Sequence, residues 1–351
     1  MDLTKLAVPI VQAPLAGGAS TPELAAAVNA AGGLGFLAAG YKTTGAVRED
    51  IRKLRSLSEA PFGVNIFAPP APVRDAAAIA AYADSLRRDA ERHGTTLGDP
   101  RHDDDYFDAK VELACNEHVP VVSFTFGCPE PAVVRRLHEA GCDAWVTVTN
   151  PDEALLAQSV GADALVVQGF EAGGHRAYFT DSPDTEELGL LAALQLVRNR
   201  VGLPLVAAGA IADGTAVAAV LCAGAAAAQI GSALMLAPEA GTSEPHRAAL
   251  AEEGSTRLTR AFSGRQARGI VNRFMREHDA DAPAAYPDVH YLTTPIRNAA
   301  RQAGDPERLN LWAGQAHALA VPAPAAEIVR GLGAEARDAA KSLALRLERA
   351  G

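Results

Sequence analysis

Residues 143–176 read DAWVTVTNPDEALLAQSVGADALVVQGFEAGGHR, and this stretch holds one full repeat of the pattern that decides the fold. Two largely apolar runs, DAWVTVT (143–149) and ALVVQG (164–169), have the character of strands buried on both faces. Between them, Asn150 and Pro151 are typical of a helix start and Gly161 of a helix stop. The stretch therefore predicts a strand, a helix and a second parallel strand, followed by a glutamine, two glycines and a histidine.

The same pattern recurs along the chain. Six more apolar runs are candidate strands: VPIVQAP (8–14), GLGFLA (33–38), FGVNIF (62–67), VPVVSFTF (119–126), PLVAAGA (204–210) and AAQIGS (227–232). Eight strands that alternate with helices predict an α/β fold of the (β/α)8 TIM barrel type. A doubly wound open sheet is the alternative, but no GxGxxG follows the first strand.

Two stretches are too long for the repeat. Residues 69–118 exceed one crossover and predict a helical excursion on the barrel. Residues 233–322 follow the eighth strand and predict an inserted lid, or substrate-binding domain, over the C-terminal mouth of the barrel. The barrel would then comprise residues 1–232 and 323–351, with an alanine-rich outer helix from about Ala325.

The composition and net charge of the chain argue against several classes of function. The chain has 351 residues and a net charge of −10, which argues against nucleic-acid binding. No apolar run reaches the ~18 residues of a membrane span, and the N-terminus lacks the layout of a signal peptide, so we expect a cytoplasmic protein. The four cysteines show no CxxC spacing and no HExxH is present, so we expect no metal site.

In a barrel of this type, the working residues lie at the C-terminal ends of the strands. The last two strands end in glycine-rich turns that contain Gly209, Gly231 and Ser232. Glycine lets a ligand approach backbone N–H groups closely, so these two turns predict a site for a phosphate-bearing cofactor. The alternative is that the glycines only turn the chain.

Two amides, Asn65 and Gln168, end otherwise apolar strands. A buried amide needs hydrogen-bond partners. Each could bond to a neighbouring loop, or both could face a planar heterocycle at the barrel mouth. Together with the phosphate site, the second interpretation suits flavin mononucleotide (FMN).

His175 follows two glycines directly after a barrel strand, a position in which an imidazole can take or give a proton. A lone loop histidine can also be structural. The histidines in charge-rich stretches, among them His246 and His278, are predicted to be solvated surface residues.

Several blocks together resemble the nitronate monooxygenases, formerly called 2-nitropropane dioxygenases. The resemblance covers nearly the whole chain and rests on APLAGGASTPELAAAVNAAGGLGFLAAGYKT (13–43), PFGVNIFAP (61–69), VSFTFGCP (122–129), VVQGFEAGGHR (166–176), AAGAIADG (207–214), QIGSALMLAPEAGTSEPHRAAL (229–250) and TRAFSGRQARGIVNRFM (259–275). The block around residues 238–250 is similar to the bacterial and fungal class I enzymes in particular.

The resemblance implies an FMN-dependent enzyme that oxidises alkyl nitronates, with propionate 3-nitronate the expected substrate, using O2. The products would be a carbonyl compound and nitrite or nitrate, reached through an anionic flavin semiquinone. By motif match, His175 would be the active-site histidine. The FMN-binding residues would be Asn65, Gln168, Gly173, Gly209, Gln229, Gly231 and Ser232.

The resemblance leaves the role of His175 open between a base and a positive anchor for the nitronate. Ala177-Tyr178 follows the His-Arg pair where the family often has glycine, which puts the size of the substrate in doubt. Residues 41–45 and 311–315 are further candidates for the barrel mouth. No oligomeric state is predicted.

Two rival functions remain at this point. One is an NADH-dependent FMN reductase of the same superfamily, either an enoyl-acyl carrier protein reductase or an NADH:quinone reductase. The other is a phosphate- or flavin-binding barrel without catalytic activity.

Overall fold

The computed structural model describes residues 1–69, 75–181 and 186–350. Its strands are β1 (Ile10–Gln12), β2 (Gly35–Ala38), β3 (Phe62–Phe67), β4 (Val121–Thr125), β5 (Asp143–Val148), β6 (Ala164–Gln168), β7 (Gly174–His175), β8 (Leu205–Ala208), β9 (Ala227–Ile230), β10 (Thr256–Thr259) and β11 (Ala267–Ile270). All eight strands predicted from the sequence are present, and β7, β10 and β11 are additional.

The eight predicted strands form one parallel sheet in the order β1-β9-β8-β6-β5-β4-β3-β2. The two ends of this sheet meet, because Val11 of β1 forms a parallel bridge with Leu34 just before β2. Beyond that bridge the side chain of Gln12 forms hydrogen bonds with the backbone of β2. Its Nε2 donates to the Phe36 carbonyl at 2.9 Å, and its Oε1 accepts from the Phe36 N–H at 3.3 Å. The predicted TIM barrel is confirmed, and a side-chain amide completes its closure.

Side chains fill the barrel interior. The rings of Phe36 on β2 and Trp145 on β5 have centroids 5.8 Å apart, although β3 and β4 separate these strands in the sheet. The contact must therefore cross the inside of the barrel. Val11, Val166 and Val206 join the same buried cluster, so the interior is a packed core and not a channel.

The helices are α1 (Pro22–Ala30), α2 (Thr44–Leu57), α3 (Ala76–Arg92), α4 (Phe107–Asn116), α5 (Pro131–Glu139), α6 (Pro151–Ser159), α7 (Leu190–Arg198), α8 (Gly214–Cys222), α9 (Glu244–Ala251), α10 (Arg273–His278), α11 (Asp288–Ala303) and α12 (Ala325–Ala350). Several begin as the sequence predicts. Thr21 caps α1 ahead of Pro22, and the Oδ1 of Asn150 accepts from the Asp152 and Glu153 N–H groups at the start of α6. Among the described residues, no helix is long and apolar enough to cross a membrane.

The long connection between β3 and β4 contains α3 and α4, apart from residues 70–74, which lie outside the described residues. The helix α4 packs beside β3 and α5 like a barrel helix. In contrast, α3 packs on α11, and its Tyr82 and Leu86 share one buried cluster with Phe262, Phe274 and Leu292. The excursion and the segment after β9 therefore build one common core.

The segment 233–322 holds α9, α10, α11, β10 and β11. It is tied to the barrel by a three-stranded antiparallel sheet in the order β10-β11-β7, in which Ala267 pairs with His175 and Arg268 with Gly174. The loop after β6 is thus an edge strand of the sheet that this segment forms, and this pairing sets the position of His175. The chain then returns to the barrel at α12, which starts at the predicted Ala325 and packs on α8 and α1.

Candidate active site

One cavity of about 460 Å³ lies at the C-terminal ends of the barrel strands. Its size is in the range of small-molecule sites. All eight site residues predicted from the sequence line it: Asn65, Gln168, Gly173, His175, Gly209, Gln229, Gly231 and Ser232. Tyr41 and Trp312, from the two stretches predicted to lie at the mouth, line it too. The cavity therefore brings together residues from β3, β6, β7, β8, β9 and the segment after β9.

The lining of this cavity is basic. Among the described residues that line it there is no aspartate or glutamate, in a chain whose net charge is −10. Two arginines and four histidines do line it: Arg297, Arg301, His175, His246, His290 and His317. An anion is the occupant that such a lining favours.

Part of the backbone around the cavity has a left-handed conformation. Three non-glycine residues with positive φ line it, namely Tyr41 (65°), Phe126 (78°) and Ala210 (50°). Gly209, next to Ala210, has a φ of 138°, which L side chains rarely adopt. Backbone of this kind is maintained by its surroundings and is common at functional sites.

The glycine-rich end of the cavity is formed by the turns after β8 and β9 together with residues 313–314. The Oγ of Ser232 accepts a hydrogen bond from the Gly314 N–H at 2.9 Å. A Cβ on Gly173 would lie 2.4 Å from the Gly314 nitrogen and 2.5 Å from the Ala313 carbonyl carbon. Gly173 is thus required for the loop after β6 to pass directly over residues 313–314.

Gln168 holds the loop that carries His175. Its Nε2 donates to the His175 carbonyl at 3.0 Å, and its Oε1 accepts from the Ala177 N–H at 2.9 Å and from Arg176 Nη1 at 3.0 Å. This is the loop hydrogen bonding that the sequence offered as one alternative. A further contact of Gln168 with a cofactor ring stays a prediction.

Asn65 is buried near the centre of the barrel mouth. Its Nδ2 donates to the Ser123 Oγ and the Thr125 Oγ1, both at 2.9 Å, and to the Ser123 carbonyl at 3.2 Å. The end of β4 therefore fixes the orientation of the amide, as expected for a buried polar group.

His175 is half-buried and points its ring at three aromatic side chains. The ring centroids of Phe126, Tyr286 and Trp312 lie 5.6, 5.8 and 5.4 Å from its own. Its Nε2 lies 2.8 Å from the Oγ of Ser263. The imidazole is thus held between the barrel and the segment after β9.

Burial and the nearby guanidinium groups of Arg265 and Arg297 lower the pKa of His175 from 6.5 to about 3. Both causes penalise the charged imidazolium. His175 is therefore neutral near pH 7, which suits a neutral hydrogen-bonding group better than a proton acceptor or a permanent positive charge.

The sequence did not single out His290, Arg297 or Tyr286. His290 stacks on Tyr41 with ring centroids 4.0 Å apart, and the Tyr286 hydroxyl lies 3.2 Å from the Tyr41 hydroxyl. His290 and Arg297 are seven residues apart, two turns along α11, and this spacing is the signal that could have placed both on one helix face.

Two histidines predicted to be solvated are not, and that prediction is wrong. His246 lines the cavity and donates from Nε2 to the Trp312 carbonyl at 3.1 Å, and burial lowers its pKa to about 4. His278 is buried against Asp89. Both come from charge-rich helices whose other faces are exposed, which hid their burial from the sequence pattern.

Ala177 and Tyr178, where the chain departs from the family pattern, are buried and are absent from the described lining of the cavity. The Tyr178 ring lies beneath the guanidinium of Arg265, whose Cζ is 4.6 Å from the ring centroid. The departure therefore affects the packing behind the cavity and not its wall.

Asp89, Glu277 and His278 have ligand atoms close enough together to hold a metal ion. However, Arg308 occupies the centre of the group, because its Nε donates to Asp89 Oδ1 at 2.5 Å and its Nη2 donates to Glu277 Oε2 at 3.2 Å. The Nε2 of His278 lies 2.6 Å from Asp89 Oδ2. The group is an ion-pair network that joins α3 to α10, in which Arg308 already supplies the positive charge to both carboxylates.

Comparison with known proteins agrees with this geometry. The family model described as nitronate monooxygenase matches residues 1–335. The nitronate monooxygenase of Pseudomonas aeruginosa is 39% identical over 94% of this chain and 96% of its own, and that of Paraburkholderia phytofirmans is 38% identical over 95% and 94%.

Solved structures show the same relationship. Nitroalkane oxidase from Streptomyces ansochromogenes is 49% identical and superimposes with a TM-score of 0.94 over 97% of this chain and 99% of that chain. FabK from Thermotoga maritima is 27% identical with a TM-score of 0.77, over 97% and 96%. These relatives indicate an oxidoreductase, and the chain belongs to the nitronate monooxygenase family.

Proposed function

We propose that the protein is an FMN-dependent nitronate monooxygenase. It would oxidise alkyl nitronates, propionate 3-nitronate among them, with O2 to a carbonyl compound plus nitrite or nitrate. Family membership supports the reaction class. The observation that carries the proposal is the basic cavity without an acidic side chain, since both a nitronate and the phosphate of FMN are anions.

The residues around the cavity fit FMN. At one end, the turns at Gly209 and Gly231 expose backbone N–H groups without side chains in the way, and Gly209 has a φ of 138° that suits glycine. Ser232 adds a hydroxyl, and Gln229 lies on the adjoining strand end. We assign the phosphate to this end and the flavin ring to the centre of the barrel mouth, beside Asn65, Gln168 and Gly173. When bound, FMN would take electrons from the substrate and pass them to O2.

In this proposal His175 acts as a neutral group toward the substrate. Its neutral imidazole can donate a hydrogen bond to a nitronate oxygen, whereas a pKa of about 3 makes it a weak base for the α-proton of a neutral nitroalkane. The Ser263 hydroxyl and the three surrounding aromatic rings hold the imidazole in place.

We also propose that residues 233–322 act as the lid and substrate-binding segment of the enzyme. Ser263, His290, Arg297 and Trp312 all belong to this segment and line the cavity opposite the strand ends. The pairing of β11 with β7 couples the segment to His175. Closure of such a segment over a bound flavin would exclude water from the reacting atoms.

The test begins with the purified protein. It should be yellow and should release FMN on heat denaturation, and a colourless preparation that cannot be reconstituted with FMN would refute the proposal. Oxygen uptake is then measured with propionate 3-nitronate. The rival NADH-dependent reductase is tested in parallel by anaerobic mixing with NADH, where rapid bleaching of the flavin, without oxygen uptake on nitronates, would favour the rival.

A further inference from the structure

One face of α11 presents a row of one histidine and two arginines to the cavity. His290, Arg297 and Arg301 all line it, at spacings of seven and four residues that place them on the same side of the helix. At 1.5 Å per residue the row is about 16 Å long. Arg301 is exposed, whereas Arg297 is only 7% exposed. The row therefore leads from solvent into the buried part of the cavity.

Arg297 is a buried cation without a carboxylate partner. Its Nη2 donates to the His290 carbonyl and to Thr294 Oγ1, both at 2.7 Å, and its Nε donates to Thr293 Oγ1 at 3.1 Å. None of the ion pairs in the described part of the chain involves Arg297, and after burial the titratable groups that act on its pKa are Tyr41 and Arg301. Burial lowers that pKa to about 10, so the guanidinium is still charged near pH 7.

Arg297 acts on His175 through its charge and makes none of the hydrogen bonds or ring contacts given for His175 in the described part of the chain. His175 contacts Tyr286, Tyr286 meets Tyr41, and His290 stacks on Tyr41, with Arg297 following on the next turns of α11. The glycine-rich end, to which we assign the phosphate, lies instead at the ends of β8 and β9. Arg297 is thus available to a group of the substrate that is remote from the carbon facing His175.

We propose that Arg297 is a specificity-determining residue: its guanidinium binds the carboxylate of propionate 3-nitronate, a group that simple alkyl nitronates lack. This inference rests on the proposed function and identifies the residue that would recognise the carboxylate of its substrate. The guanidinium is oriented in advance, because Nε and Nη2 are held by α11, and Nη1 makes none of the hydrogen bonds given for the described residues, so it is the nitrogen that can donate to a carboxylate. The exposed Arg301 would attract such anions to the mouth of the cavity.

The first experiment measures binding without turnover. Succinate, a dicarboxylate without a nitro group, is titrated calorimetrically into the FMN-loaded protein. We expect Arg297→Gln to weaken succinate binding by about 10- to 100-fold, the range of a lost charge-assisted hydrogen bond. The control is Arg276→Gln, which removes one positive charge from an exposed position on α10. Equal succinate affinity in wild type and Arg297→Gln would overturn the inference.

The second experiment compares two substrates. Arg297→Gln should lower kcat/KM for propionate 3-nitronate by about 10- to 100-fold and leave kcat/KM for propyl-1-nitronate within about twofold of wild type. Equal losses for both, or loss of FMN from the variant, would overturn the inference. A wild-type protein that oxidises neither nitronate would refute the proposed function instead, and the succinate titration would still test Arg297.

Discussion

The Nε2 atom of His175 and the Oγ atom of Ser263 lie 2.8 Å apart. His175 is on the loop after barrel strand β6, and Ser263 is on the connection between β10 and β11, so this contact joins the barrel to the segment that covers it. The Ser263 hydroxyl also lies 3.2 Å from the Arg265 carbonyl. If the hydroxyl donates to Nε2 instead of to that carbonyl, the N–H of the neutral imidazole is on Nδ1, as the proposed hydrogen bond to a nitronate oxygen requires.

The first prediction concerns His175 as the active-site residue. His175→Asn should lower kcat for nitronate oxidation by about 10²- to 10³-fold, the usual cost of losing a positioned hydrogen-bond donor toward developing charge. Bound FMN should be unchanged, because the glycine-rich end of the cavity is untouched. Oxygen uptake and the visible absorbance of the flavin measure the two quantities.

Ser263→Ala provides the matched comparison, since it removes the partner of the imidazole and leaves the imidazole itself. A smaller loss, about 10-fold in kcat, is expected because the ring would lose orientation only. Turnover of His175→Asn at the wild-type rate would contradict the assignment of His175, and absence of turnover in the wild type itself would favour a barrel without catalytic activity.

The second prediction concerns pH and stability. His175 and His246 have folded-state pKa values of about 3 and about 4, below the ordinary 6.5. Between these values and 6.5 the unfolded chain binds more protons than the folded one, so the free energy of unfolding falls as the pH is lowered from 6.5. Each group contributes up to about 1.4 kcal/mol per pH unit in that window.

Urea unfolding of wild type and His246→Asn at pH 7 and pH 5 measures this effect. The wild type should lose more stability between the two pH values than the variant does. An equal loss would show that His246 titrates alike in the folded and unfolded states.

The third prediction concerns close backbone packing. Gly173→Ala should displace residues 313–314, because its Cβ would lie 2.4 Å from the Gly314 nitrogen. We expect a loss of about 1–3 kcal/mol in the free energy of unfolding and weaker FMN retention. The control is Gly331→Ala on α12, where nothing lies within 4 Å of the added Cβ, and which should be neutral or slightly stabilising. If both variants unfold at the wild-type temperature, the close approach at Gly173 does not hold.

The fourth prediction concerns the network around Asp89. Asp89→Ala should cost about 3–5 kcal/mol, because it removes the buried carboxylate that pairs with the buried guanidinium of Arg308 and leaves only the more exposed Glu277 as its partner. Treatment of the wild type with EDTA should leave the unfolding temperature unchanged, since Arg308 already stands within the cluster. A drop in that temperature on chelation would show that a metal ion contributes to this site.

Much of the barrel was predictable from local pattern. The run FGVNIF predicts a strand over 62–67, and β3 has those limits, because a strand buried on both faces is apolar along its length. The glycine-rich strand ends and His175 were predictable because a barrel brings all strand ends to one face. The common core of α3 and α11 was not predictable. The sequence of each helix shows that one face is apolar, but it does not show which element packs against that face.

The residues of the candidate site also divide into those recognisable from the sequence and those placed only by the fold. Gln168 was recognisable as an amide at a strand end, but its hydrogen bonds to His175, Arg176 and Ala177 depend on how the loop folds back. His290 and Arg297 lie on a helix far along the chain, in a pattern of ordinary helical composition. Only packing against the barrel shows that they face the cavity.

The sequence by itself determined the order of strands and helices, the barrel class and the strand-end residues, since hydrophobic period and helix caps are local properties. The tertiary structure alone decided what surrounds His175. Burial beside Arg265 and Arg297 makes its imidazole neutral near pH 7, and pairing with β11 fixes its backbone. Both effects come from residues distant in sequence, because desolvation and the field of a neighbouring charge depend on position in space and not on spacing along the chain.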